Sequence, residues 1–129
     1  MKRSVTFDPG DVVVVPFPFV DRRGTKRRPA LVLSDPSFNE AGATILAMIT
    51  TEAHRPRPGD TELLGSKTAG LHASCIVRLK LFTLDNRLIV RKIGKLDPVD
   101  EESVSAALRR HLPWAHAQAP SLLSPPDRR

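Results

Sequence analysis

Cysteine, histidine, aromatic side chains and long apolar runs are all scarce in this chain, and each scarcity removes a class of protein. The single cysteine, Cys75, has no partner in the chain, so a small secreted scaffold held by crosslinks is excluded and a reducing compartment, the cytoplasm, is expected. The histidines at 54, 72, 111 and 116 show neither zinc nor haem-attachment spacing, so no metal and no cofactor is expected. No apolar run approaches the roughly 18 residues of a membrane span. The basic start MKRSVTFDPG leads into an Asp-Pro-Gly turn and not into an apolar signal core, so a soluble, unprocessed protein with no membrane role is expected. Nucleophile elbows, Gly-rich phosphate loops, HExxH and paired cysteines are missing as well. Aromatic residues make up only 5% of the chain, so any stacking on bases must be sparse.

What the chain does have is proline and unevenly placed positive charge. Its 129 residues suit one compact core and are too few for two. The net charge is +6, and the eight residues DRRGTKRR from Asp21 to Arg28 hold five cations and one carboxylate, a local +4. Two readings of that run stand: a solvated connection that aids solubility, or a site for a polyanion, where clustered cations attract phosphates and release their counterions.

Along the chain, Asp8-Pro-Gly is a turn, and the β-branched run Val12 to Val15 reads as a buried strand. It exits through Pro16-Phe-Pro-Phe19, and because proline cannot donate to a ladder this end must lie at an edge or bulge, bringing Phe17 and Phe19 to the basic loop. Further strands are expected over Pro29–Ser34, Ala43–Thr50, Thr61–Leu64 and Ser74–Leu84, the last with Val77, Leu79 and Leu81 facing in and Arg78 and Lys80 facing out. Asp85-Asn86 is expected to turn the chain into a hairpin with Leu88–Ile93. The period then changes. Asp97 reads as an N-cap with Pro98 behind it, acidic residues fill the first turn, and Val104, Leu108 and Leu112 form the apolar stripe of one helix closed by Pro113. A domain over 1–112 and a Pro-rich disordered tail over 113–129 are expected. Six or seven short strands and one helix make a mainly β fold, a small bent antiparallel sheet or partly open barrel.

The segments GDVVVVPFPF, KRRPALVLS, AMITT, AGL, SCIVRLKLFTLD and RKIGKLD, in that order and spacing, resemble the MazF/PemK family of toxins from bacterial toxin–antitoxin pairs. The resemblance runs from Gly10 to about Leu112. It implies an SH3-like, plug-type β-barrel that forms a homodimer. It also implies an endoribonuclease that cuts single-stranded RNA at short motifs without a metal, and is neutralised by an acidic antitoxin tail seated in the RNA groove. Matched residue by residue, the family's catalytic arginine falls on Arg28, directly before Pro-Ala, and its catalytic threonine on Thr50.

Around these two, Phe17, Phe19, Arg22, Arg23, Lys26 and Arg27 are candidates for gripping RNA or the antitoxin. Thr51 is a further RNA contact, and as a strand neighbour it points to the face opposite Thr50, so a slip of one residue would exchange them. Ser74 is another candidate contact, since it opens the strand that touches RNA in the family. His54 and His72, in or near loops, are candidates to assist proton transfer, with His54 also a candidate RNA contact, or are simply solvated. Two other classes of function remain beside the nuclease: a protein-binding toxin like the gyrase poisons, which share the barrel, and a silent RNA-binding module.

Overall fold

The structure, a computed structural model, describes residues 6–17, 26–51 and 55–114. Six strands, β1 (Asp11–Phe17), β2 (Lys26–Val32), β3 (Ala43–Thr50), β4 (Thr61–Glu62), β5 (Ile76–Asp85) and β6 (Arg91–Lys95), form one antiparallel sheet in the order β4-β5-β3-β2-β1-β6. A four-residue helix α1 (Pro36–Asn39) sits between β2 and β3, and α2 (Pro98–His111) follows β6. The sheet curls, and among the described residues no pairing joins β4 to β6, so the barrel stays open on that side.

The unbroken valine run of β1 is explained by two cores. Val12 packs with Leu31, Ala47, Ile49 and Val77 against Leu96 and Val104 at the helix side. Val13 and Val15 pack on the opposite face with Ala30, Val32, Leu46 and Leu84 under Phe7 and Ile89. A strand apolar on both faces needs both faces covered, and alternation of side chains delivers one residue to each core in turn. The prolines lie where they cost no ladder bonds. β6 pairs only with Asp11–Val14, leaving Pro16 beyond it, and Pro29 precedes the Ala30–Val32 stretch that pairs with β3.

Three expectations are corrected. The expected hairpin after Asp85-Asn86 does not form. Asp85 caps a 3-10 turn over Asn86–Leu88, Asn86 is held by Thr44 Oγ1 at 2.7 Å and the Asn39 carbonyl at 2.8 Å, and β6 crosses to pair with β1. A two-residue hairpin loop favours a glycine at positive φ, which this turn lacks, while the outer edge of β1 is open to a partner. Next, Arg78 does not face solvent. The β3–β5 register jumps from Met48↔Arg78 to Ala47↔Leu81, a bulge that leaves Leu79 and Lys80 over, and Arg78 is only 9% exposed while Leu81 is 38% exposed. Finally, the helix stripe ends at Leu108, and Leu112 is exposed.

The start of α2 is as expected and does more than cap. Asp97 accepts from Val99 N at 3.0 Å, and the buried carboxylate of Asp100 accepts from Leu64 N at 3.0 Å and Gly65 N at 2.8 Å. One carboxylate in the first helical turn thus ties the β4 loop to the helix. The short α1 uses the same Asp-Pro signal: Asp35 accepts from Phe38 N ahead of Pro36.

Candidate nucleic-acid interface

β1 and β2 run to their shared end with Val15↔Arg28, Pro16↔Arg27 and Phe17↔Lys26 opposed. The basic segment therefore enters the sheet with Lys26 and Arg27 exposed and Arg28 half-buried. The Arg28 guanidinium carbon lies 5.1 Å from the Phe17 ring centroid, close enough for a cation–π contact. Its Nε is buried without a hydrogen-bond partner. A buried guanidinium N–H lacking an acceptor is costly, and an anion at that point would relieve the cost.

Thr50 ends β3. The β2–β3 ladder runs through Ala30↔Met48, Leu31↔Ala47 and Val32↔Leu46, and the same register carried two residues further would bring Arg28 to Thr50, though the two are not paired in that ladder. Both lie beyond the paired stretch, where the strands part, on the face they share with Ala30 and Met48. Thr50 is half-buried and Thr51 exposed. A cavity of about 400 Å³ is bordered by Arg27, Arg28, Thr51, His72, Cys75 and Arg91, with Val14, Leu71 and Ile93 among its apolar lining. Burial pushes the Cys75 thiol above its usual range, which disfavours the thiolate. Among the described residues no three His, Cys, Asp or Glu side chains gather as a metal site, and no helix is long and apolar enough to cross a membrane.

The structure thus brings Phe17, Lys26, Arg27 and Arg28 together at one end of the sheet and puts Thr51 and His72 on the cavity, while Thr50, at the end of β3, is not part of its lining. Ser74 is exposed and stands outside the cavity lining, beside Cys75, which is in it. Phe19, Arg22, Arg23 and His54 lie outside the described residues. Arg91 was missed by sequence reasoning. It adds a cation to the cavity from β6, and nothing local marks it, because its place depends on β6 crossing to β1. The Gly70 turn behind the cavity is forced: at φ +79 it packs on the Ile93 carbonyl, where a Cβ would overlap.

A family model described as PemK-like, MazF-like toxin of type II toxin-antitoxin system matches residues 8–112. No curated protein matches the chain. Among solved structures, MazF from Deinococcus radiodurans is 22% identical, with a TM-score of 0.66 over 85% of this chain and 99% of that one. The Mycobacterium tuberculosis toxin MazF-mt6 is 19% identical, with a TM-score of 0.64 over 80% of this chain and 96% of its own. An endoribonuclease from a mycobacterial species, solved in complex with its cognate antitoxin, is 18% identical with a TM-score of 0.64, covering 82% and 94%. At these identities the likeness is one of fold: the curled antiparallel sheet with its C-terminal helix is the fold of MazF.

Proposed function

The chain belongs to the family of PemK-like, MazF-like toxins of type II toxin-antitoxin systems, and from that membership we propose that it is an endoribonuclease that cuts single-stranded RNA at short sequence motifs, without a metal, and so blocks translation. The observation that carries the proposal is Arg28: a half-buried arginine whose guanidinium lies over Phe17 with Nε unpartnered, on a strand whose register, carried on from Ala30↔Met48, leads to Thr50. RNA supplies its own nucleophile. The 2′-oxygen attacks the adjacent phosphorus in line, the bond from phosphorus to the 5′-oxygen breaks, and the 2′-hydroxyl proton is lost as the 5′-oxygen gains one. The products are a 2′,3′-cyclic phosphate and a 5′-hydroxyl.

The protein's part is to hold the phosphate and to stabilise charge as phosphorus becomes five-coordinate. Arg28 donates to the phosphoryl oxygens, and Thr50 donates its hydroxyl to a non-bridging oxygen. Lys26, Arg27 and Arg91 neutralise flanking phosphates, and the apolar lining of the cavity takes a base or a sugar face. The same cations suit an acidic antitoxin, and the reading includes a homodimer working in the bacterial cytoplasm with residues 113–129 as an appended tail. Solved relatives include a toxin bound to its cognate antitoxin.

The test is cleavage of a diverse single-stranded RNA pool in excess EDTA, with the new 5′ ends sequenced. Wild type is expected to cut at a short motif. Arg28→Ala and Thr50→Ala are expected to lose activity, the former by at least about 3 kcal/mol in the barrier, by analogy with loss of an oxyanion-hole donor. No cleavage by wild type overturns the reading and favours a protein-binding or silent barrel, and full cleavage by both variants overturns the roles given to Arg28 and Thr50.

A further inference from the structure

Arg78 is unused by the chemistry above, yet it is buried and its guanidinium binds the loop before β4. Standing opposite Met48, it lies on the face that also carries Thr50 and Arg28, one alternation along the strands. Arg78 Nε donates to Asp60 Oδ1 at 3.0 Å and Nη2 to Asp60 Oδ2 at 2.9 Å, a bidentate pair whose side chains are 10% and 11% exposed. Nη2 also donates to the Arg55 carbonyl at 2.8 Å. Asp60 stands one residue beyond the Thr61↔Val77 pairing, at the return end of the connection from Thr50 to β4, and its Oδ2 accepts from Arg57 N at 2.9 Å. One ion pair therefore holds this connection at Arg55, Arg57 and Asp60.

Between the anchors the sequence is Arg55-Pro56-Arg57-Pro58, and all four residues are exposed. Each proline fixes its own φ and restricts the residue before it, which is here an arginine. The two cations are thus presented on a stiff backbone that loses little freedom when it binds. A loop that only joined two strands would gain little from a desolvated ion pair, whose Coulomb attraction is largely spent on taking both charges out of water. A loop that must hold two charges at a set place beside Thr50 gains a defined geometry.

We propose that Arg55 and Arg57 form a second wall that grips the RNA backbone beside the scissile phosphate, opposite Lys26 and Arg27, and that Arg78 is the positioning residue that holds this wall through Asp60 and the Arg55 carbonyl. The identity of the anion rests on the endoribonuclease reading; the grip itself does not.

The probes are a mixed-sequence RNA, for cleavage, and its 2′-deoxy counterpart, which binds without reacting. Arg55→Gln with Arg57→Gln is expected to flatten the dependence of log affinity for the deoxy oligomer on log salt by about 0.7 per lost contact, and to raise KM with kcat little changed. Arg78→Lys keeps the charge but loses the planar fork. It is expected to flatten the slope as the double variant does, although both exposed cations remain. A purely structural Arg78 would lower the melting temperature and leave the slope of the folded protein at the wild-type value. Should Arg78→Lys not fold, Asp60→Asn is measured in its place, with the same expectation. An unchanged slope in the double variant, or a wild-type slope in the folded Arg78 or Asp60 variant, overturns the proposal. Loss of polyglutamate binding with oligonucleotide binding intact would assign the wall to an acidic protein and overturn it too. Shifted slopes in a protein that cuts no RNA would retire the cleavage reading and leave the grip standing.

Discussion

Arg28 and Phe17 are diagonal neighbours across the β1–β2 pair, the guanidinium carbon 5.1 Å from the ring centroid. The ring face meets the positive charge but offers no acceptor to an N–H, so it steadies the side chain while leaving Nε–H for an incoming anion. In the proposed cleavage, Phe17 would therefore act through the aim of Arg28.

Phe17→Leu keeps apolar bulk and removes the ring. It is expected to lower kcat about fivefold, corresponding to about 1 kcal/mol for an exposed cation–π contact, with little change in unfolding midpoint. Single-turnover cleavage alongside urea unfolding checks this, and an undiminished rate would show that Arg28 is aimed by other contacts.

Asp100 is a stability residue. Its loss in Asp100→Ala leaves the amides of Leu64 and Gly65 without their acceptor, an expected cost of about 3 kcal/mol for two donors. Asp100→Asn keeps one oxygen and should cost less. The measurement is the urea midpoint at constant m-value; equal midpoints for wild type and the alanine variant would show that water replaces the carboxylate freely.

The Asp60 carboxyl is held below the usual range, chiefly by the side-chain hydrogen bond from Arg78 and against desolvation. A depressed folded value means that the unfolded chain binds the proton more readily. The pair's contribution is therefore present above the unfolded value, near 3.8, and lost as pH falls through the folded one. Asp60→Asn is expected to be about 2 kcal/mol less stable than wild type at neutral pH, with the gap closing as the pH falls below the ordinary carboxylate value. Denaturant melts across that range test it, and a constant gap would remove the ion pair as its source.

Gly70 holds the cavity floor against β6. In Gly70→Ala the new Cβ would overlap the Ile93 carbonyl oxygen at φ +79, two penalties at one backbone site, with an expected cost of about 3 kcal/mol. Gly42→Ala, also at positive φ but with open space around it, should cost about 1 kcal/mol, the left-handed penalty alone. Similar melting temperatures for the two variants would show that the close approach relaxes easily.

Much of the fold is legible residue by residue. Val12 to Val15 announce a strand buried on both sides because β-branched residues without alternation suit no half-exposed element. Asp97-Pro98 announces a helix start because a carboxylate cap and a residue with no N–H satisfy the same orphaned turn. Arg28 stands out at the end of the cationic run, directly before Pro29. The hairpin expected after Asp85 fails for an instructive reason: Asp-Asn is a turn signal, but its side chains are taken by a 3-10 cap and by Thr44, and no local pattern says which edge β6 will join.

The nature of each element, the cationic character of the β1–β2 end and the identity of the family follow from residue order alone, because dihedral preference, charge and motif spacing are properties of short stretches of chain. Tertiary structure decided which strands meet, that the β2–β3 pairing stops at Ala30↔Met48, short of Arg28 and Thr50, that Arg91 reaches the cavity from β6, and that Arg78 is drawn in to clamp the Arg-Pro-Arg-Pro loop. Each depends on register, and a bulge such as the one at Leu79 and Lys80 alters register through contacts made far away in sequence.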